Sequence, residues 1–300
     1  MTRVPATVLW GTVTALIVAA LGGRLVSAET GPDGRHSEAP ASITGQLSLP
    51  WPESGQASVL DTGSGRTGTS GEQTPVPIAS VTKVMTAHVI LTGHPLREGE
   101  SGPLITVDQQ AQDESASLVE STARVEAGQR LSQRRLLELL LLPSGNNIAR
   151  LLARWDAGSE SAFVAKMNRA AAKLTMKRTS YTGPSGFEPT TTSTSGDQLK
   201  LAREAMRDPV FRSIVATRQV DAGGVTGTVT NTNKLLGTHG VIGIKTGSST
   251  PAGGALMWAA TAERGTILGV VLHQRPNTTP AEGLDAAYDA TERLVTAARR

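Results

Sequence analysis

Ser80 and Lys83 lie three residues apart in the stretch IASVTKVMTA. On a helix, positions i and i+3 share a face, so the amine of Lys83 can approach the Ser80 hydroxyl. An amine out of water and beside another cation loses proton affinity, and in its neutral form it can take the serine proton. A helix cap followed by a solvated lysine would give the same spacing. Ser144 and Asn146 follow Pro143 in PSGNN, where a hydroxyl could relay a proton and an amide could hold a carbonyl or the lysine. Most such tripeptides are turns or caps. Lys245, Thr246 and Gly247 stand in GIKTGSS, where a strand pattern runs into a turn. The lysine offers a positive charge to a carboxylate, the threonine a hydroxyl, and the glycine room for substrate backbone. Taken alone, an edge-strand lysine accounts for it slightly better.

Together the three groups point to one chemistry. A serine–lysine pair on a helix, a Ser-x-Asn at an interhelical turn and a Lys-Thr-Gly on a late strand are three walls of a serine acyl-transfer site, and their order and separations of roughly 65 and 100 residues suit it.

The elements that must position these walls are legible in outline. QASVLD at Gln56–Asp61 suits a short strand, and the following TGSGRTGTSGEQT reads as turn. A helix is predicted from Ala79 and Ser80 through VTKVMTAHVIL, where Val84, Ala87, His88 and Leu91 recur at three- and four-residue spacing and Gly93 and Pro95 end it. SQRRLLELLLL follows a possible Ser132 cap and stops at Pro143; IARLLARW, SESAFVAKMNRAAAKL and GDQLKLAREAM continue the helical period. Phe163, Met167 and Leu174 read as core. GVIGIKTG, GGALMWAATAE and GTILGVVLH are short, apolar and broken by glycine, which suits adjacent strands, and the last segment returns to helix with Leu284, Tyr288 and Leu294 inward. A sheet with strands from both ends of the chain and a helical insert between them follows.

Composition narrows the function classes. A net charge of +3 without a basic block, and only 3% aromatic residues, give no reason to expect nucleic acid as a partner. With no cysteine, thiol nucleophiles, thiolate metal sites and redox motifs are excluded. The five histidines, His36, His88, His94, His239 and His273, show no metal-ligand spacing, so neither metal nor cofactor is expected. The uncharged run from Val4 to Gly23 has the length that crosses a bilayer, and VSA at Val26–Ala28 offers small residues for cleavage. Residues 1–28 are therefore expected to be a signal peptide or N-terminal membrane anchor, 29–42 a flexible linker, and 43–300 the catalytic domain. The protein is expected outside the cytoplasm, at the cell surface or beyond, touching membrane only through its N-terminal segment.

On these residues the chain resembles the penicillin-binding, active-site-serine family, and within it the low-molecular-mass D-alanyl-D-alanine carboxypeptidases. IASVTKVMTA, LLELLLLPSGNNIARLLA, FVAKMNRAAAKL, TSYTGPSGFEPTTTSTSGD and GIKTGSSTPAGGAL are all similar to family segments, in the family order. The resemblance implies a mixed α/β fold like that of β-lactamases and DD-peptidases, with a five-stranded antiparallel sheet flanked by helices and a helical subdomain. It implies Ser80 as nucleophile, Lys83 as general base, Ser144 as proton relay and Asn146 as support for Lys83 and the substrate amide. Lys245 and Thr246 would bind the terminal carboxylate, with Gly247 beside the substrate backbone and the backbone N–H groups of Ser80 and Ser248 around the oxyanion. The implied partners are peptidoglycan stem peptides ending in D-Ala-D-Ala, and β-lactams as covalent inhibitors.

Two positions depart from the family pattern: Asn147 stands where an Asp is common after Ser-Gly-Asn, and Gly186-Phe187 stands for the usual Gly-Leu. Two rivals stay open, a β-lactamase, for which Glu188 lacks the expected Glu-x-x-Leu-Asn surroundings, and a penicillin-sensing or peptidoglycan-binding module that acylates without turnover.

Overall fold

The computed structural model describes residues 47–300. The expected leader over residues 1–28, the linker over 29–42 and the start of the folded part near Ile43 lie outside the described residues. Among the described residues no helix is long and apolar enough to cross a membrane.

QASVLD forms strand β1 (Gln56–Asp61), and the chain turns back as β2 (Thr67–Ser70). The sequence gives β2 the look of a turn because edge pairing needs little side-chain burial; of its four residues only Gly68 is buried. The late apolar stretches are β3 (Val241–Ser249), β4 (Gly253–Thr261) and β5 (Thr266–Gln274). All five strands are antiparallel in the order β2-β1-β5-β4-β3, so strands from both ends of the chain meet where Gln56 faces Leu272, and β3 is an edge.

Between β2 and β3 lie the helices. A tight 3-10 turn over Ala79–Thr82 passes directly into α1 (Lys83–Gly93), so Ser80 sits in the turn and Lys83 begins the α-helix; the sequence predicts one continuous helix. From Lys83 to Leu91 every α1 residue is buried except His88, which is half-buried. His88, which the periodicity puts on the core side with Val84, Ala87 and Leu91, is thus the least buried of this run, because other helices wrap α1 on nearly every side.

The helices before β3 are α2 (Gln109–Glu114), α3 (Gln133–Leu141), α4 (Asn146–Ala157), α5 (Glu160–Lys173), α6 (Ser195–Ala205) and α7 (Pro209–Val215), of which α3, α4, α5 and α6 pack against α1. Ser132 caps α3 as expected, its hydroxyl accepting from the Arg135 N–H at 3.2 Å. The sequence reading misses α7, which is short and starts on an Asp208 cap with Pro209 in its first turn. The closing helix α8 (Pro280–Ala298) opens with a capping box of Thr279 and Glu282.

Both faces of the sheet are covered. Along β4, Leu256 and Trp258 pack with Tyr288 and Leu294 of α8, while Ala255 and Met257 pack with Val81 and Met85 beside α1. This two-sided burial makes β4 an unbroken apolar run rather than an alternating one.

Candidate active site

The turn carrying Ser80 follows Ile78. Ala79 has a left-handed backbone (φ 45°), an uncommon conformation for a residue with a side chain, and the turn leaves Ser80 half-buried above a fully buried Lys83. Lys83 Nζ lies 2.8 Å from Ser80 Oγ. It also donates to Asn146 Oδ1 at 2.5 Å and to the Ser185 carbonyl at 2.8 Å. The Ser185 carbonyl is delivered by a loop that must come very near the turn. At Gly186 (φ +79°) a Cβ would stand 2.0 Å from the Ala79 carbonyl oxygen, so only glycine fits.

Ser144 and Asn146 form the second wall at the break between α3 and α4. Ser144 is left-handed (φ 68°), and its buried hydroxyl makes no hydrogen bond among the described residues. Asn146 is buried as the first residue of α4; while its oxygen accepts from Lys83, its Nδ2 donates to Glu120 Oε2 at 2.6 Å. Glu120 accepts in turn from Arg150, Nη1 to Oε1 at 3.1 Å and Nη2 to Oε2 at 2.8 Å. The departure at Asn147 has a structural reason. Its amide donates to the Ala111 and Ala123 carbonyls and accepts from the Ala123 N–H, a double role that an aspartate could not fill, and so ties down the loop carrying Glu120.

The third wall is edge strand β3. Lys245 is buried, its Nζ donating to its neighbour's backbone, the Thr246 carbonyl, at 3.1 Å and lying 3.3 Å from Thr246 Oγ1. Gly247 presses on the nucleophile turn: a Cβ there would come within 3.0 Å of the Ile78 oxygen and 3.2 Å of the Ser80 nitrogen. Thr246 Oγ1 is 2.6 Å from Thr232 Oγ1. Thr232 is itself a junction, its N–H donating to the Leu142 carbonyl beside the second wall and its carbonyl accepting from Tyr288 of α8 at 2.6 Å.

Charge and burial set the protonation states. Burial first, then repulsion from Lys245 and Arg150, holds Lys83 well below the ordinary lysine value, against the opposing pull of Glu120 and Glu188. Burial alone brings Lys245 down to about 7. Burial pushes Glu120 upward, but hydrogen bonds from Arg150 and Asn146 outweigh it and leave the carboxyl below its ordinary value, ionised at neutral pH.

Of the eight residues singled out in the sequence, Ser80, Asn146 and Ser248 line an open cleft of about 600 Å³; Lys83, Ser144, Lys245, Thr246 and Gly247 are buried. Leu118, Val119 and Phe187 also line the cleft, and all three are exposed, Leu118 at 99%. Glu188 does not line it. Sequence reasoning misses Glu120, Arg150, Ser185 and Thr232, since each stands in a polar or helical stretch without a motif of its own.

Comparison with known proteins identifies the family and the fold. The model of the D-alanyl-D-alanine carboxypeptidase family, peptidase family S11, matches residues 46–276. A D-alanyl-D-alanine carboxypeptidase of Streptomyces sp. strain K15 is 34% identical over 209 residues, which span 64% of this chain and 71% of the relative. A D-alanyl-D-alanine endopeptidase of Pseudomonas aeruginosa is 33% identical over 226 residues, 73% of this chain and 71% of the relative. The crystal structure of the Streptomyces K15 DD-transpeptidase superposes with a TM-score of 0.71 at 29% identity, covering 82% of this chain and 98% of the other. A family match over most of the length, relatives at about a third identity and a common fold lead to one assignment: the chain belongs to peptidase family S11, the serine-type D-alanyl-D-alanine carboxypeptidases.

Proposed function

We propose that Ser80 is the acylated nucleophile and Lys83 its base, in removing the terminal D-alanine from peptidoglycan stem peptides. The coordination of Lys83 Nζ carries the assignment. A neutral amine has two N–H bonds and one lone pair; Asn146 Oδ1 and the Ser185 carbonyl are both acceptors and occupy the two N–H bonds, which leaves the lone pair to the Ser80 hydroxyl.

In the proposed cycle Ser80 Oγ attacks the penultimate D-alanine carbonyl as its proton passes to Lys83. The backbone N–H groups of Ser80 and Ser248 stabilise the oxyanion. When the C–N bond breaks, the proton reaches the leaving amine by way of Ser144, whose hydroxyl has no hydrogen bond among the described residues to give up. Lys245 and Thr246 hold the carboxylate of the departing D-alanine, and Gly247 leaves room for substrate backbone along β3. Water then hydrolyses the ester. An amine taking the water's place would give transpeptidation by the same acyl-enzyme. β-Lactams acylate Ser80 as substrate mimics, and the protein is exported to the cell wall, with residues 43–300 as its catalytic domain and any membrane contact through the N-terminal segment.

Intact mass after incubation with benzylpenicillin, beside a Ser80→Ala control, tests the assignment. A persistent adduct in the wild type alone, with D-alanine release from an acylated D-Ala-D-Ala peptide, is the expected result. Rapid drug hydrolysis without an adduct would move the protein to the β-lactamases; an adduct without D-alanine release would make it a penicillin sensor.

A further inference from the structure

We infer that Glu120 is a positioning residue: its carboxylate fixes which end of the Asn146 amide faces Lys83, and thereby where the lone pair of the lysine points. The inference rests on Lys83 acting as the base.

An amide side chain has an acceptor end and a donor end that differ little in shape. With the oxygen toward Lys83, as observed, the amine spends an N–H on it and keeps its lone pair for Ser80. Turned over, Asn146 would present its NH₂ to Lys83 and donate to that lone pair, so the base would be occupied by a neighbour. Lys83 alone does not prevent this, because an amine can donate or accept. Glu120 does: an ionised carboxylate only accepts, and a reversed Asn146 would set two oxygens against each other at the present 2.6 Å contact.

Glu120 has little freedom to yield. Two N–H groups of Arg150 grip both of its oxygens, and Arg150 is also ion-paired to Glu114, Nη1 to Oε2 at 3.3 Å. The loop next to Glu120 is fastened to α4 through the Asn146 N–H, which donates to the Ser121 carbonyl at 2.8 Å, and through the hydrogen bonds of Asn147 to Ala123. Glu120 also lines the cleft yet keeps its carboxyl below the ordinary range, so it remains an acceptor at neutral pH.

The test is the benzylpenicillin acylation rate of the full chain as a function of pH. Glu120→Gln is nearly isosteric but can offer either end to Asn146, and its plateau rate is expected to fall by about tenfold or more, within the 10²–10⁴ that a positioned base supplies. The charged groups facing Lys83 are Lys245 on β3, Arg150 on α4, Glu120 before Ser121 and Glu188 after Phe187. Loss of the Glu120 charge should therefore also move the acid limb to lower pH. Glu120→Asp keeps the charge but falls short of Asn146, so its plateau should drop with the limb unmoved; it carries the test should the glutamine variant not fold. In an Asn146→Ala background, Glu120→Gln should change the plateau by less than about threefold, as coupled residues do. A wild-type plateau and limb in both Glu120 variants, or an undiminished effect without Asn146, would overturn the inference while leaving the base assignment standing. A wild type that is not acylated at Ser80 would overturn both.

Discussion

The site contains two fully buried lysines in opposite circumstances. Lys83 begins α1 and is engaged from three separate segments, by Ser80, Asn146 and the Ser185 carbonyl. Lys245, on edge strand β3, has among the described residues only the oxygens of the adjacent Thr246. Burial lowers the proton affinity of both, yet the surroundings of Lys83 define the direction of its lone pair, whereas those of Lys245 leave its charge without a counter-ion. In the proposed cycle one lysine acts neutral and the other meets the negative charge that the substrate brings.

Removing the amine at each site breaks this comparison most directly. Lys83→Met is expected to lower the rate of penicillin acylation by about 10²–10⁴, the range of a positioned general base. Lys245→Met should keep the nucleophile chemistry and lose about 10- to 100-fold in kcat/KM for a D-Ala-D-Ala peptide, in line with one charge-assisted hydrogen bond. Equal losses of acylation in the two variants would erase the distinction.

A pH series sharpens it. As pH falls Lys83 gains its proton and acylation is lost; as pH rises through about 7 Lys245 loses its charge and its hold on the carboxylate. The kcat/KM profile of Lys245→Met should lose this alkaline limb, and its acid limb should move to higher pH, because the Lys245 charge no longer repels the proton on Lys83. Stability follows the same lysine. Between its folded value of about 7 and its ordinary 10.5, the unfolded chain binds a proton that the folded chain does not, so this group adds stability as pH rises, by at most about 1.4 kcal/mol per pH unit. Urea unfolding of the wild type should therefore become more favourable to the fold across that window than unfolding of Lys245→Met; parallel curves would mean that burial costs Lys245 nothing.

The smallest effect concerns the support of the strand wall. Tyr288→Phe removes the hydroxyl that donates to the Thr232 carbonyl, at a cost of about 1 kcal/mol, and should loosen Thr246 through Thr232. KM for the peptide is expected to rise slightly, with penicillin acylation at Ser80 unchanged.

What was legible in the sequence divides along the same line. Ser80, Lys83, Ser144, Asn146 and Lys245 belong to short motifs at fixed spacing, and β3, β4 and β5 announce themselves as apolar runs between glycines. Glu120 and Thr232 act through partners 26 and 14 residues distant, and local patterns carry no signal for that. His88 misleads because helical periodicity assumes one wet face, and other helices wrap α1 on nearly every side. Thr67–Ser70 misleads because edge pairing asks for backbone rather than side chains.

The order of the sheet also has a consequence in time. β1 and β2 come early, but β1 finds its second neighbour only in β5, where Gln56 meets Leu272. Pairings between such distant segments form late and slowly as a chain folds. A chain halted before β3 would hold the serine and its lysine but no strand to face them. If Ser80 is the nucleophile, as proposed, acylation by penicillin is therefore a report on completed folding, since the Ser80 turn and the strand that presses on it reach each other only when the two ends of the domain have met.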